Sequence, residues 1–187
     1  MEVLKINIPL KHSSNSAAIM SYPEYSLDMV RAGIIIYGLY PYTEANRSLL
    51  RLEPCFSLKS QVSYVKTLNK GERIGYGLTY ESIDEEKIAT IPIGYGDGYR
   101  RELSNKGYVL INGEYAKIVG LICMDQLMVN VTGIDVKRGD EVVLIGKQGD
   151  KEITIEELST FVDLNPASII SLISRRVPRV YVKARRI

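Results

Sequence analysis

The sequence predicts a mainly β protein, in which an antiparallel β domain follows a short βα segment. After about residue 57, apolar runs typical of strands recur at short, regular intervals, and Gly, Asn and Asp pairs separate them. The pair Asn112-Gly113 lies between two such runs and is a strong β-hairpin signal, because both residues tolerate positive φ. Regular short strands with turns of this kind indicate a closed or sandwiched antiparallel sheet.

The individual elements of the β domain follow from these runs. We expect strands at residues 57–68, 73–76, 87–93, 108–111, 114–119, 127–131 and 141–145. Two helices are expected later in the chain, at 154–161 and 167–175, and Thr154 with Glu157 fits a capping box at the start of the first. A last strand is expected at 176–181.

The first 42 residues have the character of a βα fold. Residues 5–10 form a strand-like apolar run, and the polar loop at 12–16 precedes a short helix expected near Ala17. Residues 30–37 are almost continuously apolar and β-branched, as in a strand buried on both faces of a parallel sheet. We expect a domain boundary near residue 42, with the end of one domain at 1–42 and a whole β domain at 43–187.

Composition and charge exclude several classes of function. The net charge of +2 is too small to indicate binding to nucleic acid or to a membrane surface. No apolar run approaches the roughly 20 residues of a membrane-spanning helix, and the first residues do not resemble a secretory signal. Cys55 and Cys123 lack metal-site spacing, so reduced thiols in a cytoplasmic protein are expected. His12 is the single histidine, which makes a His-rich metal site and a chymotrypsin-like triad poor candidates.

Tyr76 is a candidate for chemistry because Gly75 and Gly77 flank it. Glycines on both sides give the backbone conformational freedom and let another molecule approach closely, so the hydroxyl is displayed more than packed. A tyrosine that acts as a base near neutral pH also needs a cation or a hydrogen-bonding partner. On this stretch alone, a glycine-rich turn with a partly buried tyrosine is the favoured interpretation.

Four other stretches contain residues suited to a site, and each has a structural alternative. The loop that ends at Ser16 could present donors to an anion, and Gly33 could let backbone N–H groups approach a phosphate. Arg31 supplies a fixed cation, or it pairs with a carboxylate such as Asp28. The glycine-rich loop at 91–101 and the apolar stretch at 120–126 would otherwise be turn structure and core.

Seven motifs of this chain follow one another in a recognisable order. They are H-S-S-N-S (12–16), D-M-V-R-A-G-I-I-I-Y-G-L (28–39), S-L-K-S (57–60), G-Y-G (75–77) with T-Y (79–80), A-T-I-P-I-G-Y-G-D-G-Y (89–99), I-C-M-D-Q (122–126) and R-V-P-R-V-Y (176–181). No single motif is decisive, but the ordered set is highly specific. It resembles the C-terminal part of the alanine racemase family, which includes serine racemase domains.

The resemblance implies a two-domain enzyme that depends on pyridoxal 5′-phosphate. In the family, an N-terminal (β/α)8 barrel carries the cofactor lysine and a mainly β domain follows it. Residues 1–42 would then be the last strand-loop units of a truncated barrel, ahead of an antiparallel β-barrel-like domain. The implied activity is an isomerase that interconverts the L and D forms of alanine or serine. The implied assembly is a head-to-tail homodimer, in which each β domain reaches the barrel site of the partner subunit.

The resemblance also implies roles for individual residues. Tyr76 would be one of two catalytic acid/bases, and Met124 and Tyr95 would contribute to the substrate site. The implied cofactor contacts are Ser16 and the backbone of Gly33 and Ile34 at the phosphate, Arg31 at the pyridine nitrogen, and His12 behind Arg31. Because an arginine stays protonated at any working pH, it disfavours protonation of the ring nitrogen and limits side reactions.

Some family features are absent from this sequence. The lysine signature around K-A-N-A-Y-G and the carboxylate-binding arginine of the barrel have no counterpart, so the chain is expected to be inactive alone. Ala167 stands where the family usually has a tyrosine that contacts the phosphate, which leaves serine open as a substrate. Leu121 stands where the family often has an arginine at the entrance to the site.

Two alternatives remain open at this stage. The chain could be a β module without catalysis of its own, serving dimerisation or interaction with a barrel chain. It could also derive from another pyridoxal-phosphate barrel enzyme, such as a decarboxylase of basic amino acids, although I-C-M-D and R-V-P-R favour the racemases.

Overall fold

The computed structural model describes residues 7–42, 47 and 49–182. Contacts divide the chain into two units, Met1–Phe56 and Ser57–Ile187. The predicted boundary near residue 42 stays a prediction. Within the described residues, no helix combines the length and the apolar character needed to cross a membrane.

The first unit places a short helix between two parallel strands. β1 (His12–Asn15) pairs with β2 (Met29–Arg31), and α1 (Ser16–Ser21) lies between them in the chain. The helix begins close to the predicted position because the side chain of Asn15 accepts a hydrogen bond from the N–H of Ala18 at 3.1 Å. This cap holds Ser16 at the junction of strand and helix.

One strand predicted in this unit is wrong, and another lies partly outside the described residues. The run at 30–37 is not one buried strand, because β2 is exposed and the chain then forms a 3₁₀ turn at Ile34–Tyr37. The N–H of Ile36 bonds to the carbonyl of Gly33 at 3.0 Å, which takes the backbone out of the extended conformation. Of the run at 5–10, residues 5 and 6 lie outside the described residues, and residues 7–10 contain no strand.

The second unit is an antiparallel sheet of eight strands that curls back on itself. The strands are β3 (Leu58–Gln61), β4 (Tyr64–Leu68), β7 (Glu86–Ile91), β8 (Tyr108–Ile111), β9 (Glu114–Val119), β10 (Leu127–Asn130), β11 (Glu141–Gln148) and β12 (Lys151–Ile153). Their order is β12-β11-β8-β9-β10-β7-β4, and β3 pairs with β11. Because only Val62 and Ser63 separate β3 from β4, the bent strand they form joins both sides of the sheet, and the barrel-like fold is confirmed. A separate hairpin contains β5 (Arg73–Ile74) and β6 (Tyr80–Glu81).

The hairpin of β8 and β9 forms as the sequence predicts. Ile111 pairs with Glu114, so Asn112 and Gly113 form a two-residue turn. Their φ angles of 51° and 78° are the positive values that such a turn requires. The turn sets the register that buries side chains such as Ile118 in the core of the sheet.

The two predicted helices are also confirmed. α2 (Ile155–Val162) begins after Thr154, whose hydroxyl accepts a hydrogen bond from the N–H of Glu157 at 3.0 Å. α3 spans Pro166–Leu172, and the side chain of Asn165 caps it. The caps explain why both helices start within a residue or so of the expected positions.

Other predicted strands differ from the structure for local reasons. The run at 57–68 divides at Val62, whose N–H donates to the carbonyl of Asp140 at 2.9 Å. The run at 73–76 stops before Gly75, which has a φ of 82°. The strand predicted at 176–181 is wrong, since these residues form no strand and the guanidinium of Arg179 bonds to backbone carbonyls just after α3.

Candidate active site

Tyr76 lies at the tip of the hairpin formed by β5 and β6. An ion pair between Arg73 Nη2 and Glu81 Oε2 at 2.6 Å closes the base of this hairpin. Gly75 and Gly77 have positive φ angles of 82° and 73°, so the chain reverses on both sides of the tyrosine at low steric cost. The Tyr76 side chain is 75% exposed, which overturns the partly buried tyrosine favoured on that stretch alone.

Gly75 also lets the Tyr76 hairpin pack closely on a second segment of backbone. A Cβ added at Gly75 would lie 3.4 Å from both the Cα of Gly120 and the nitrogen of Leu121, and 3.3 Å from the methyl of Met128. Such contacts are tighter than most real Cβ contacts, so a side chain here would push the two segments apart. The glycine therefore does more than form a turn, because it sets how near Tyr76 lies to the stretch that leads to Met124.

Tyr95 and Met124 lie on two loops that hydrogen bond to each other through their backbones. The N–H of Tyr95 donates to the carbonyl of Cys123 at 3.0 Å, and the N–H of Gly96 donates to the carbonyl of Met124 at 2.9 Å. A Cβ at Gly94 would stand 2.1 Å from the Cys123 carbonyl oxygen, so the approach requires glycine. The side chains of Tyr95 and Met124 are both about half exposed. The structure thus brings together the two residues predicted for the substrate site.

Arg176 joins these two loops by charge. Its Nε lies 3.2 Å from Asp97 Oδ1, and its Nη2 donates to Asp125. The other oxygen of the nearly buried Asp97 accepts the N–H of Gly94 at 2.9 Å. The hydrogen bond to Asp125 and the charge of Asp97 raise the pKa of Arg176 above its usual value. All three charged residues lie in motifs identified in the sequence, but the sequence does not predict that they pair. Residues so distant along the chain give no spacing signal.

Arg31 in the first unit does not pair with Asp28, the carboxylate suggested from the sequence. Arg31 Nη1 contacts His12 Nδ1 at 2.6 Å, and its Nη2 donates to the carbonyl of Ser13 at 3.3 Å. Asp28 instead accepts the N–H of Lys11 at 2.8 Å, so the suggested Arg31–Asp28 pair is wrong. Arg31 is therefore held by an imidazole and a carbonyl and by no carboxylate among the described residues, so its charge is available to a ligand.

Ser16, Gly33 and Ile34 form a small set of donors in the same unit. The N–H of Gly33 donates to Ser16 Oγ at 2.9 Å, and the 3₁₀ turn begins at Ile34. A Cβ at Gly33 would meet Ser16 Oγ at 3.6 Å, an ordinary contact, so close packing does not by itself require this glycine. A hydroxyl and the backbone amides of a turn are groups that bind phosphate oxygens, so Ser16 and the backbone at Gly33 and Ile34 fit the phosphate of pyridoxal phosphate.

Known proteins match this chain over nearly its whole length. A family model for the alanine racemase C-terminal domain matches residues 55–181, and one for the N-terminal domain matches residues 1–41. The chain belongs to the alanine racemase family. The alanine racemase of Clostridium perfringens is 48% identical over 179 residues, and that of Methanococcus maripaludis is 47% identical over 178. Each match covers 95% of this chain but only 46% and 48% of the respective relative, so the chain spans about half the length of the curated relatives it matches.

Solved structures of alanine racemases share the fold. The Bacillus anthracis enzyme with bound L-Ala-P superposes with a TM-score of 0.92 at 38% identity, covering 97% of this chain and 47% of that one. The Clostridium difficile enzyme in complex with cycloserine gives a TM-score of 0.85 at 44% identity, covering 94% and 46%. These matches confirm the β-rich racemase fold and leave the roles of individual residues as predictions.

The two departures from the racemase pattern occupy defined positions. Ala167 lies in the first turn of α3, where its N–H donates to Asn165 Oδ1 at 2.8 Å. Leu121 is half-buried and directly follows Gly120.

Within the described residues, no group of His, Cys, Asp and Glu is arranged to hold a metal ion.

Proposed function

We propose that this chain provides the C-terminal part of a pyridoxal-phosphate-dependent amino-acid racemase and that Tyr76 is its acid/base for the L-enantiomer. The observation that carries the proposal is the exposed hydroxyl of Tyr76 at a glycine-flanked hairpin tip that packs on the segment leading to Met124. Membership of the alanine racemase family supports the reaction class.

The proposed chemistry divides between this chain and residues that its sequence lacks. Pyridoxal phosphate, when bound, acidifies the Cα–H bond of an amino acid attached to it. The phenolate oxygen of Tyr76 accepts the proton from Cα on one face and the resulting phenol returns a proton to the same face, while a lysine of the barrel serves the opposite face. Met124 and Tyr95 bound the space for the side chain of the amino acid.

The first unit would contribute the cofactor contacts. Ser16 and the backbone of Gly33 and Ile34 would bind the phosphate, and Arg31 would face the pyridine nitrogen. His12 and the carbonyl of Ser13 orient the guanidinium of Arg31. A guanidinium has no proton to give up near neutral pH, so it keeps the ring nitrogen unprotonated.

Alanine is the proposed substrate, and serine is the second candidate. Relatives named alanine racemase, one of them solved with L-Ala-P, support alanine. Ala167, which replaces a larger family residue with a methyl group, favours extra space for serine. We further propose a homodimer in which Tyr76 and Met124 act in the barrel site of the partner subunit, in the cytoplasm, where the free thiols of this chain would persist.

The test joins this chain to the barrel of a relative such as the Clostridium perfringens alanine racemase and measures racemisation of L-alanine and L-serine. Tyr76→Phe should lower the rate about 10²–10⁴-fold, the usual contribution of a positioned acid or base. Tyr64→Phe is the matched control, because Tyr64 is also exposed and its hydroxyl makes no hydrogen bond within the described residues. Near-normal racemisation by Tyr76→Phe would disprove the proposed role.

The chain alone provides a second test. With added pyridoxal phosphate it should neither racemise alanine nor develop the visible absorbance of a lysine-bound cofactor. Formation of a stable complex with a separately supplied barrel, without any racemisation, would favour the non-catalytic β module instead.

A further inference from the structure

A turn between the 3₁₀ helix Arg101–Leu103 and β8 holds the backbone segment on which the Tyr76 hairpin packs. The side chain of Asn105 accepts a hydrogen bond from the N–H of Gly120 at 2.7 Å. The neighbouring hydroxyl of Ser104 accepts one from the N–H of Ile122 at 2.9 Å. Two consecutive side chains therefore hold alternate amides of the segment 120–122, which makes no strand pairing of its own there.

The conformation of Asn105 is suited to this contact. Its φ of 58° lies in the left-handed region, which asparagine tolerates better than most residues. In that conformation its amide oxygen reaches Gly120, whereas glycine would adopt the same φ without providing an acceptor. The residue thus combines an unusual backbone shape with a specific acceptor.

The position of Gly120 affects the position of Tyr76, because Gly120 is in close backbone contact with Gly75. The Cα of Gly75 and the Cα of Gly120 lie so near that a Cβ built on either glycine comes within 3.5 Å of the other residue. Tyr76 is the next residue in the chain after Gly75. The phenol oxygen extends well beyond this backbone, so a small rotation at Gly75 becomes a larger displacement of the hydroxyl.

We propose that Asn105 is a positioning residue for the Tyr76 hydroxyl, acting through Gly120 and Gly75. This inference rests on the proposed function, because it takes Tyr76 as the group that exchanges the proton of the L-enantiomer. A displacement of the reacting groups by about 1 Å can lower a rate about 10²-fold, so the loss of one hydrogen bond can become visible in catalysis.

The variants separate the acceptor from the backbone conformation. Asn105→Gly keeps the left-handed φ but removes the acceptor, and Asn105→Asp keeps an acceptor for the N–H of Gly120. Asn112→Gly is the matched control, because Asn112 is also left-handed and its side chain bonds to Asp135 and Asp140, away from the Tyr76 hairpin. Ser104→Ala weakens the same segment without a change at residue 105, so it tests the idea even if Asn105→Gly folds poorly.

The first measurement uses this chain as it is. Hydrogen exchange followed by NMR should show the Gly120 amide exchanging at least about tenfold faster in Asn105→Gly, and not in Asn112→Gly, because the amide has lost its acceptor. The ring resonances of Tyr76 should shift in the same variant. An unchanged Gly120 amide and Tyr76 ring would overturn the proposal.

The second measurement uses the chain joined to a barrel and compares α-deuterated L- and D-alanine. Asn105→Gly should slow racemisation about 10–100-fold. Asn105→Gly should raise the primary isotope effect more for racemisation that starts from L-alanine than for racemisation that starts from D-alanine, because Tyr76 removes the proton of the L-enantiomer. A merely structural loss of folded enzyme would slow both directions and leave both isotope effects unchanged. Asn105→Asp should restore most of the rate, and Ser104→Ala should give a smaller change of the same kind.

Failure of this inference is distinguishable from failure of the proposed function. If Tyr76→Phe removes activity but Asn105→Gly leaves the isotope effects unchanged, Asn105 does not position the tyrosine. If Tyr76→Phe remains active, the proposed function itself is wrong, and the positioning role falls with it.

Discussion

Replacing Tyr99 with Phe should stabilise the fold, whereas replacing Tyr80 with Phe should destabilise it. Tyr99 is 2% exposed, and its hydroxyl has no hydrogen-bond partner among the described residues. Burial raises the pKa of this hydroxyl, because the charged form is excluded from water. The hydroxyl of the half-buried Tyr80 instead donates to Glu86 Oε2 at 2.6 Å, and Glu86 is itself buried.

The magnitudes follow from these two environments. A buried polar group without a partner costs about 1–3 kcal/mol, so Tyr99→Phe should stabilise the fold by about 1 kcal/mol or more. A buried acceptor that loses its donor costs about 1–3 kcal/mol, so Tyr80→Phe should destabilise by about that amount. In that variant, the hydrogen bond that Glu86 retains among the described residues is the weak one from the N–H of Ile83 at 3.4 Å. The two variants should therefore differ by about 3 kcal/mol.

Urea unfolding of the chain, followed by circular dichroism, measures both changes. With an unchanged slope of free energy against urea, the midpoint should rise for Tyr99→Phe and fall for Tyr80→Phe. A clear destabilisation by Tyr99→Phe would refute the reasoning. It would mean that the Tyr99 hydroxyl bonds to a buried water, although the adjacent cavity of about 10 Å³ is lined almost entirely by apolar groups.

Four further variants test backbone contacts, a carboxylate's charge and a helix cap. Gly94→Ala should destabilise by about 3 kcal/mol, because its Cβ would stand 2.1 Å from a carbonyl oxygen of the facing loop. Gly113→Ala, which has open space but a φ of 78°, should cost only about 1–2 kcal/mol in the same denaturation assay. The N–H of Lys137 and the amide of Asn112 lower the pKa of Asp140, so this carboxylate stabilises the fold above about pH 4 and loses that effect as pH falls through its folded pKa. Asn112→Ala should raise the pKa of Asp140 in an NMR titration, and no change would contradict this. Thr154→Ala should cost about 1 kcal/mol as a lost helix cap, measured by thermal unfolding.

The β domain could be predicted well because its signals are local. Two adjacent residues, Asn112 and Gly113, are enough to predict the hairpin turn. The helix cap at Thr154 involves only Thr154 and Glu157, three residues later. The exposed position of Tyr76 also follows from its neighbouring glycines, once the family resemblance gives them a purpose. Each of these features depends on residues close together in the chain.

Most of the features that the sequence did not reveal depend on distant partners. The run at 30–37 is the exception: it has the composition of a buried strand, yet a local hydrogen bond from Ile36 to Gly33 gives Ile34–Tyr37 a 3₁₀ turn that composition alone does not distinguish from a strand. The bridge from Arg176 to Asp97 and Asp125 joins residues far apart in sequence. The hydrogen bond from the N–H of Gly120 to the side chain of Asn105 joins residues 15 apart, and the apolar pattern of the sequence does not predict it. Such contacts are set by the folded arrangement of loops, which apolar patterning does not encode.

The contact between Gly75 and Gly120 involves no side chain, and this has a consequence for how racemases of this family can diverge. The hydrogen bonds at Gly120 and Ile122 use main-chain amides, so they are indifferent to the residue at position 121. The residue at position 121 can therefore change while the Tyr76 hairpin keeps its place. Under the proposed function, the charge at position 121 can be adjusted independently of Tyr76, which lets substrate preference evolve without a fresh search for catalytic geometry.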